Sequence, residues 1–245
     1  MRNIKLTIEY DGTGYAGWQV QPHQKTIQGA IEHALKKVLS EKINVTASGR
    51  TDAGVHAKAQ TANFRTKSVL PLEKIKNALN ANLPEDIVIK DCCQVPLDFN
   101  ARFSAKSKIY RYTIQNSSMR TAIGRQYVCR IAQPLNINLM KKEACALLGK
   151  KDFRSFHAAG RKINNFVRHI KRIDIKKGSN SFILIDIEAD GFLYNMARNI
   201  VGTLVEVARL KRPQGSTKYI LRAKNRNLAG PTMPAKGLCL LEVKY

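Results

Sequence analysis

A chain of 245 residues that is 44% hydrophobic and 24% charged can bury one large core or two small ones, and is unlike a disordered or fibrous protein. Forty-two Lys+Arg against eighteen Asp+Glu leave a formal net charge of +24, which points to a polyanionic partner and argues against an apolar-partner scaffold. No apolar run approaches the roughly 20 residues of a membrane helix. The five cysteines form no C-x-x-C pair and the five histidines sit at no ligand spacing, so a membrane partner, a disulfide framework and a metal site are all set aside.

Taken in chain order, residues 3–10 alternate apolar and polar, which predicts a strand rather than a signal peptide and, with it, a cytoplasmic location. Ile27, Ala30, Ile31, Leu35 and Val38 fall on one helical face over residues 26–39, with Thr26 as N-cap. Residues 43–48 and 59–65 read as strands. Pro71 opens a second helix that turns Leu72, Ile75, Leu79 and Leu83 inward, and a strand begins at residues 87–89. The order β-α-β-β-α-β is the ferredoxin-like pattern.

The second half repeats it loosely. A strand is predicted over 108–115, a helix over 138–149, and a strand pair over 166–176 and 181–189 about the turn Lys177-Gly-Ser-Asn180. The strongest helical periodicity runs over 193–210, where Leu193, Met196, Ala197, Ile200, Val201, Leu204, Val205 and Ala208 recur at regular spacing. A short helix over 216–223 and a strand over 237–244 complete the chain. The fold class is therefore α+β: two ferredoxin-like halves, 1–105 and 106–245, with a mixed, mostly antiparallel sheet. Charge divides unevenly between them. The first half holds fourteen Lys+Arg and ten Asp+Glu, the second twenty-eight and eight, so the basic half is the predicted surface for a nucleic acid.

Two loops carry glycine-rich motifs. Gly12-Thr-Gly14-Tyr-Ala-Gly17 fits G-x-G-x-x-G after a strand. A dinucleotide site needs a helix to open there, and Trp18-Gln-Val-Gln-Pro22 follows instead. No cofactor is expected. Gly49-Arg-Thr-Asp-Ala-Gly-Val-His-Ala57 joins two strands and concentrates Arg50, Asp52 and His56 in one connection. Loops on a rigid scaffold are where catalytic groups concentrate. The residue types alone also fit a plain turn in which Asp52 bonds its own backbone.

That second motif resembles the signature of the tRNA pseudouridine synthase A family. Four further blocks do the same, in order along the chain: Tyr10-Asp-Gly-Thr-Gly-Tyr-Ala-Gly-Trp-Gln19; Phe99-Asn-Ala-Arg-Phe-Ser-Ala105 with Tyr110-Arg-Tyr112; Gly191-Phe-Leu-Tyr-Asn-Met-Ala-Arg-Asn-Ile-Val-Gly202; and Pro234-Ala-Lys-Gly-Leu-Cys-Leu240 with Val243-Lys-Tyr245. The resemblance implies the pseudouridine synthase fold, with residues 1–105 carrying the Asp52 loop and 106–245 completing the active-site cleft. It implies Asp52 as the catalytic aspartate and Arg198 as the basic residue paired with it. Tyr110 is implied to stack on the target base, Arg50 to help displace the target nucleotide, and Leu238 to line the uracil pocket. It also implies a cofactor-free homodimer that acts on uridines 38–40 in the anticodon arm of tRNA. Two positions depart from the family pattern. Ala197 stands where a larger aliphatic residue is expected, and Asn225 where Asp is usual.

The chemistry suits these residue types. Conversion of uridine to pseudouridine breaks C1′–N1 and forms C1′–C5 with no change in composition, so neither redox cofactor nor metal is required. A carboxylate can attack the glycosidic carbon or remove a ribose proton. Without the resemblance, Arg198 reads as a solvated charge on the border of an apolar stripe, and Tyr110 as packing in a strand. The rival readings are a non-catalytic RNA-binding protein, which the element order and charge allow, and a nucleoside or glycoside hydrolase, a class that usually pairs two carboxylates where the motif offers one.

Overall fold

The computed structural model describes residues 1–158, 163–179 and 181–245. The chain forms two compact units, Met1–Lys106 with Cys239–Tyr245, and Ser107–Leu238. Among the described residues no helix is long and apolar enough to cross a membrane.

The first unit contains β1 (Arg2–Tyr10), α1 (Ile27–Leu39), β2 (Thr46–Ala47), β3 (His56–Thr66), α2 (Leu72–Asn82) and β4 (Ile87–Val95). This is the predicted β-α-β-β-α-β order. β1 runs antiparallel to both β3 and β4, and β2 lies antiparallel on β3. Ile4, Leu6 and Ile8 of β1 are fully buried, as their alternation requires. Thr26 caps α1, its side chain accepting from the Gly29 N–H. The buried face of α1 is Ile27, Ile31, Ala34, Leu35 and Leu39, so Ala34 and Leu39 replace the expected Ala30 and Val38. In α2, Ile75 and Leu79 are buried, while Leu72 and Leu83 at its ends are only half-buried.

The expected strand over 43–48 shrinks to Thr46–Ala47. Ile43 and Val45 do enter the core, but side chains of α1 bond the Val45 backbone: its N–H donates to Glu32 Oε1 at 2.9 Å and its C=O accepts from Gln28 Nε2 at 3.4 Å. A backbone satisfied in this way has no need of a ladder partner. The last strand, β10 (Leu238–Lys244), pairs parallel with the start of β3, Cys239 opposite His56 and Leu240 opposite Ala57.

The second unit contains β5 (Ser107–Asn116), β6 (Cys129–Ile131), α3 (Ile137–Ala144), β7 (Gly149–Asp152), β8 (Val167–Lys177), β9 (Phe182–Ala189), α4 (Met196–Ala208) and α5 (Ser216–Ala223). Its sheet order is β5-β9-β8-β7, antiparallel throughout, with β6 parallel to β5. The succession β5-α3-β8-β9-α4 repeats five elements of the first unit, and β6, β7 and α5 are additions. Asn180 of the expected turn lies outside the described residues.

Two predicted boundaries move for identifiable reasons. The helix expected over 138–149 ends at Ala144, continues as one 3₁₀ turn, and gives way at Gly149, whose φ of +90° opens β7. The helix expected over 193–210 starts only at Met196, because Asn195 adopts φ 59° and breaks any earlier turn. β6, three residues long, escapes detection by periodicity. The N-terminus of α5 is closed by the buried Glu143 carboxylate, which accepts the N–H of Gly215 at 2.6 Å and of Thr217 at 2.9 Å. An anion bonded to these otherwise unpaired donors stabilises the helix start.

Candidate active site

Asp52 lies in the connection from β2 to β3, half-buried, with Arg50 exposed two residues before it. Buried groups of the first unit hold this connection on every side. The Thr51 hydroxyl is 2.8 Å from the Tyr10 hydroxyl, and the Thr51 carbonyl accepts from the Trp18 N–H at 3.0 Å. Burial pushes the Tyr10 hydroxyl above the ordinary tyrosine range, so it stays a neutral hydrogen-bonding group. The Val55 N–H donates to the Asp52 carbonyl at 3.1 Å, closing a turn at Ala53 and Gly54. Gln60 of β3 donates to the Gly49 carbonyl at 3.0 Å and accepts from the Ser48 hydroxyl at 2.7 Å. The backbone around Asp52 is thus fixed through Tyr10, Trp18, Val55 and Gln60.

The loop over 12–17 is part of that clamp. Gly12 and Gly17 admit the backbone of the Asp52 connection at distances no side chain allows. A Cβ on Gly12 would lie 2.1 Å from the Val55 carbonyl oxygen. On Gly17, whose φ is +98°, it would lie 2.7 Å from the Thr51 carbonyl oxygen. No helix opens at this loop, since α1 starts at Ile27. Gly12 and Gly17 therefore answer to close backbone packing. His56 joins the two segments, with Nδ1 3.1 Å from both the Gly12 N–H nitrogen and an Asp11 carboxylate oxygen. The sequence alone excludes a dinucleotide site at 12–17 but does not show what its glycines are for. The pairing of β1 with β3 in the fold is what brings it onto the Asp52 connection.

One consequence is measurable. Gly17→Ala combines a strained positive φ with a clash against immovable backbone. It is expected to shift the Asp52 connection by a fraction of an ångström or more and to lower kcat by about 10- to 100-fold. Gly14→Ala, at a position open to solvent, should leave the rate unchanged. Equal rates for the two variants in a single-turnover assay would remove the clamp from the account.

The remaining predicted site residues lie in the second unit. Tyr110 is buried on β5, opposite Ile187 of β9, and its ring meets Phe192 edge-on with centroids 4.9 Å apart. Arg198 is half-buried in the first turn of α4. Its Nε donates to the Met233 carbonyl at 2.6 Å and its Nη1 to Asn195 Oδ1 at 2.8 Å. These bonds orient the guanidinium, which sequence periodicity alone left as a solvated charge. Leu238 is buried where the segment after Met233 enters β10.

That segment, residues 229–234, is itself braced on α4. Asn199, fully buried, accepts from Thr232 Oγ1 at 2.6 Å and from Arg226 Nη2 at 3.0 Å through its Oδ1, and donates to the Phe156 carbonyl at 2.8 Å. The Gly230 N–H donates to Thr203 Oγ1 at 2.8 Å. Burial holds the Arg226 guanidinium below its ordinary pKa, consistent with a structural tie rather than a surface charge. This bracing was not legible beforehand, since nothing in the spacing of Asn199, Thr203, Arg226 and Thr232 marks them as neighbours. The two departures from the family pattern have local roles: Ala197 is buried in α4, and Asn225 caps a 3₁₀ turn by accepting the Asn227 N–H at 2.9 Å.

A family model described as tRNA pseudouridine synthase matches residues 6–104 and 144–245, which include Arg50, Asp52, Arg198 and Leu238 but not Tyr110. The tRNA pseudouridine synthase A of Caldicellulosiruptor saccharolyticus is 48% identical, and that of Clostridium acetobutylicum 46%, each over the full length of both chains. The Moorella thermoacetica protein of the same name is 46% identical over 99% of both. With matches of this extent, and the mixed, mostly antiparallel α+β architecture of the pseudouridine synthase fold, the chain belongs to the tRNA pseudouridine synthase A family.

Proposed function

We propose that this protein isomerises uridine to pseudouridine in the anticodon arm of tRNA, at positions 38–40, with Asp52 as the catalytic carboxylate. The observation that carries the reading is the half-buried Asp52 on a connection immobilised by Thr51, Gly17 and Gln60, in a chain whose relatives are named for this reaction. A carboxylate carried on a backbone held in this way is positioned to act on the sugar. It serves either as nucleophile at C1′ or as the base that takes a ribose proton. Either route ends with C1′ joined to C5, the C5 proton released and a proton gained at N1, so substrate and product have the same composition.

The other roles follow the family resemblance. Arg198 is the basic residue that serves the aspartate, and its two hydrogen bonds to Met233 and Asn195 support a fixed guanidinium. Tyr110 stacks on the target base, Leu238 lines the uracil pocket, and Arg50, exposed, helps displace the nucleotide. Displacement is required because C1′, N1 and C5 cannot be rearranged inside a stacked helix. Residues 1–105 supply the aspartate. Residues 106–245, which hold twenty-eight Lys+Arg, supply most of the charge that neutralises phosphates. The working form is a cytoplasmic homodimer without a cofactor, in which a second copy doubles that basic surface.

Incubating the protein with unmodified tRNA transcripts and mapping pseudouridine by position tests this directly. Pseudouridine at positions 38–40 with no free uracil is the expected result. Free uracil would convert the reading to hydrolysis, and modification confined to another arm would overturn the anticodon assignment. Sedimentation at working concentration should give twice the mass of one chain.

A further inference from the structure

Phe103 is the one phenylalanine among the described residues that stands exposed, at 78% of its surface. An exposed aromatic ring adds nothing to the core. The turn that presents it is nonetheless built to stay in place. Asn100 Oδ1 accepts the N–H of Arg102 at 2.9 Å and of Phe103 at 3.2 Å, and the Ser104 N–H donates to the Asn100 carbonyl at 2.9 Å. Beneath the turn, the Ala101 N–H donates to the buried Asn63 at 2.8 Å, and the Phe99 carbonyl accepts from the fully buried Asn3 at 2.9 Å. Asn63 and Asn3 are bonded to one another at 2.9 Å. The hydroxyl of Tyr245 donates to the Ala101 carbonyl at 2.9 Å, and its ring lies 5.0 Å from that of Phe99.

We propose that Phe103 is a stacking platform for an unpaired base of the RNA substrate. The inference rests on the functional reading above and adds to it a contact outside the residues already assigned. The Arg102 guanidinium lies 5.3 Å from the Phe103 ring centroid, within cation–π range, so a cation is held beside the ring. A nucleotide offers both complements at once, a π-face for the ring and a phosphate for the guanidinium. A protein partner would call for further apolar surface. The neighbours in the turn are instead Asn100, Arg102 and Ser104, with Lys106 exposed just beyond. A base inside a duplex keeps its faces covered, so the occupant is a loop base or one already displaced. Because the turn is rigid beforehand, the contact orders little protein on binding.

The test compares Phe103→Ala, Phe103→Leu and Phe103→Trp in the full-length protein, with an unmodified tRNA transcript as probe. Measured are KM, kcat, direct binding and sedimentation. Loss of one stacked base should weaken binding and raise KM by about 5- to 150-fold in the Ala variant, with kcat within about twofold. Leu should behave like Ala, because it keeps the apolar bulk but has no π-face. Trp should bind like the parent, and its fluorescence should be quenched by tRNA. Parent-like binding by the Ala variant overturns the proposal, and so does a Leu variant as good as Trp. A change in sedimentation for the Ala variant would place the ring in a protein–protein contact and overturn it as well. If the unaltered protein forms no pseudouridine, the functional reading fails instead, and tRNA binding by the same variants still decides the role of Phe103.

Discussion

Asp52→Asn is expected to abolish pseudouridine formation, with kcat reduced by at least about 10³-fold and tRNA affinity changed by no more than a few-fold. Asn preserves the size of the side chain and much of its hydrogen bonding, but can act neither as a nucleophile nor as a base. The carbonyl of Asp52, not its side chain, accepts from Val55, and the flanking backbone is tied through Thr51 to Tyr10 and Trp18. Loss of activity should therefore come without loss of structure. Single-turnover assays with position-mapped product, on an Asp52→Asn preparation whose substitution is verified by mass, provide the measurement. Substantial turnover by that preparation would end the assignment of Asp52, whichever route the reaction takes.

Gly202→Ala is expected to destabilise the second unit by about 2–4 kcal/mol and to lower its thermal midpoint by roughly 5–10 °C. Two effects oppose each other here. Alanine in a helix interior is worth about 1 kcal/mol over glycine, which on its own would raise stability. Against that, a Cβ at position 202 would lie 1.9 Å from the Pro231 carbonyl oxygen and 3.0 Å from its carbon. The obstacle is backbone, and it cannot rotate away. Gly230 faces the same contact from the other side, where a Cβ would come within 2.5 Å of the Thr203 nitrogen. The helix and the 229–233 segment therefore touch backbone to backbone. Separating them strains the Gly230–Thr203 and Thr232–Asn199 hydrogen bonds together. The Met233 carbonyl that orients Arg198 moves with the segment, so activity should fall along with stability. Calorimetry on the variant decides the sign, and a midpoint at or above the parent's would show that helix propensity wins.

Both substitutions act through contacts that separate what can be read along the chain from what cannot. Strand β1, helix α1 with its Thr26 cap, and helix α5 follow from patterns a few residues long, and they form where expected. The elements that shifted were governed by distant groups or by single backbone angles. Residues 43–45 were kept out of the ladder by Glu32 and Gln28, although their apolar pattern fits a strand. The start of α4 was set by one residue in a left-handed conformation, Asn195, which hydrophobic spacing does not register.

The candidate site divides the same way. Arg50 and Asp52 are two residues apart, and the density of Gly, Arg, Asp and His around them marks the connection before any fold is known. Tyr110, Arg198 and Leu238 gain a role from their residues only by family resemblance, because a tyrosine in a strand and an arginine on a helix are ordinary in any protein. The clamp on Asp52 depends on β1 lying beside β3, a strand well separated from it in sequence, so that Gly12 and Gly17 meet the backbone of Thr51 and Val55.

By itself, the sequence pointed to the class of partner, the order of the first six elements and the position of the candidate carboxylate. Charge, periodicity and a compact motif are local or additive properties, and they survive reading in one dimension. Only the tertiary structure decided that Gly12 and Gly17 serve backbone packing, that Gly202 and Gly230 bring α4 against the segment bearing Met233, and that the last strand pairs with β3. The physical reason is common to all three. Each is a close approach between segments far apart in the chain, and at the glycines the missing side chain is explained only by the backbone that occupies its place.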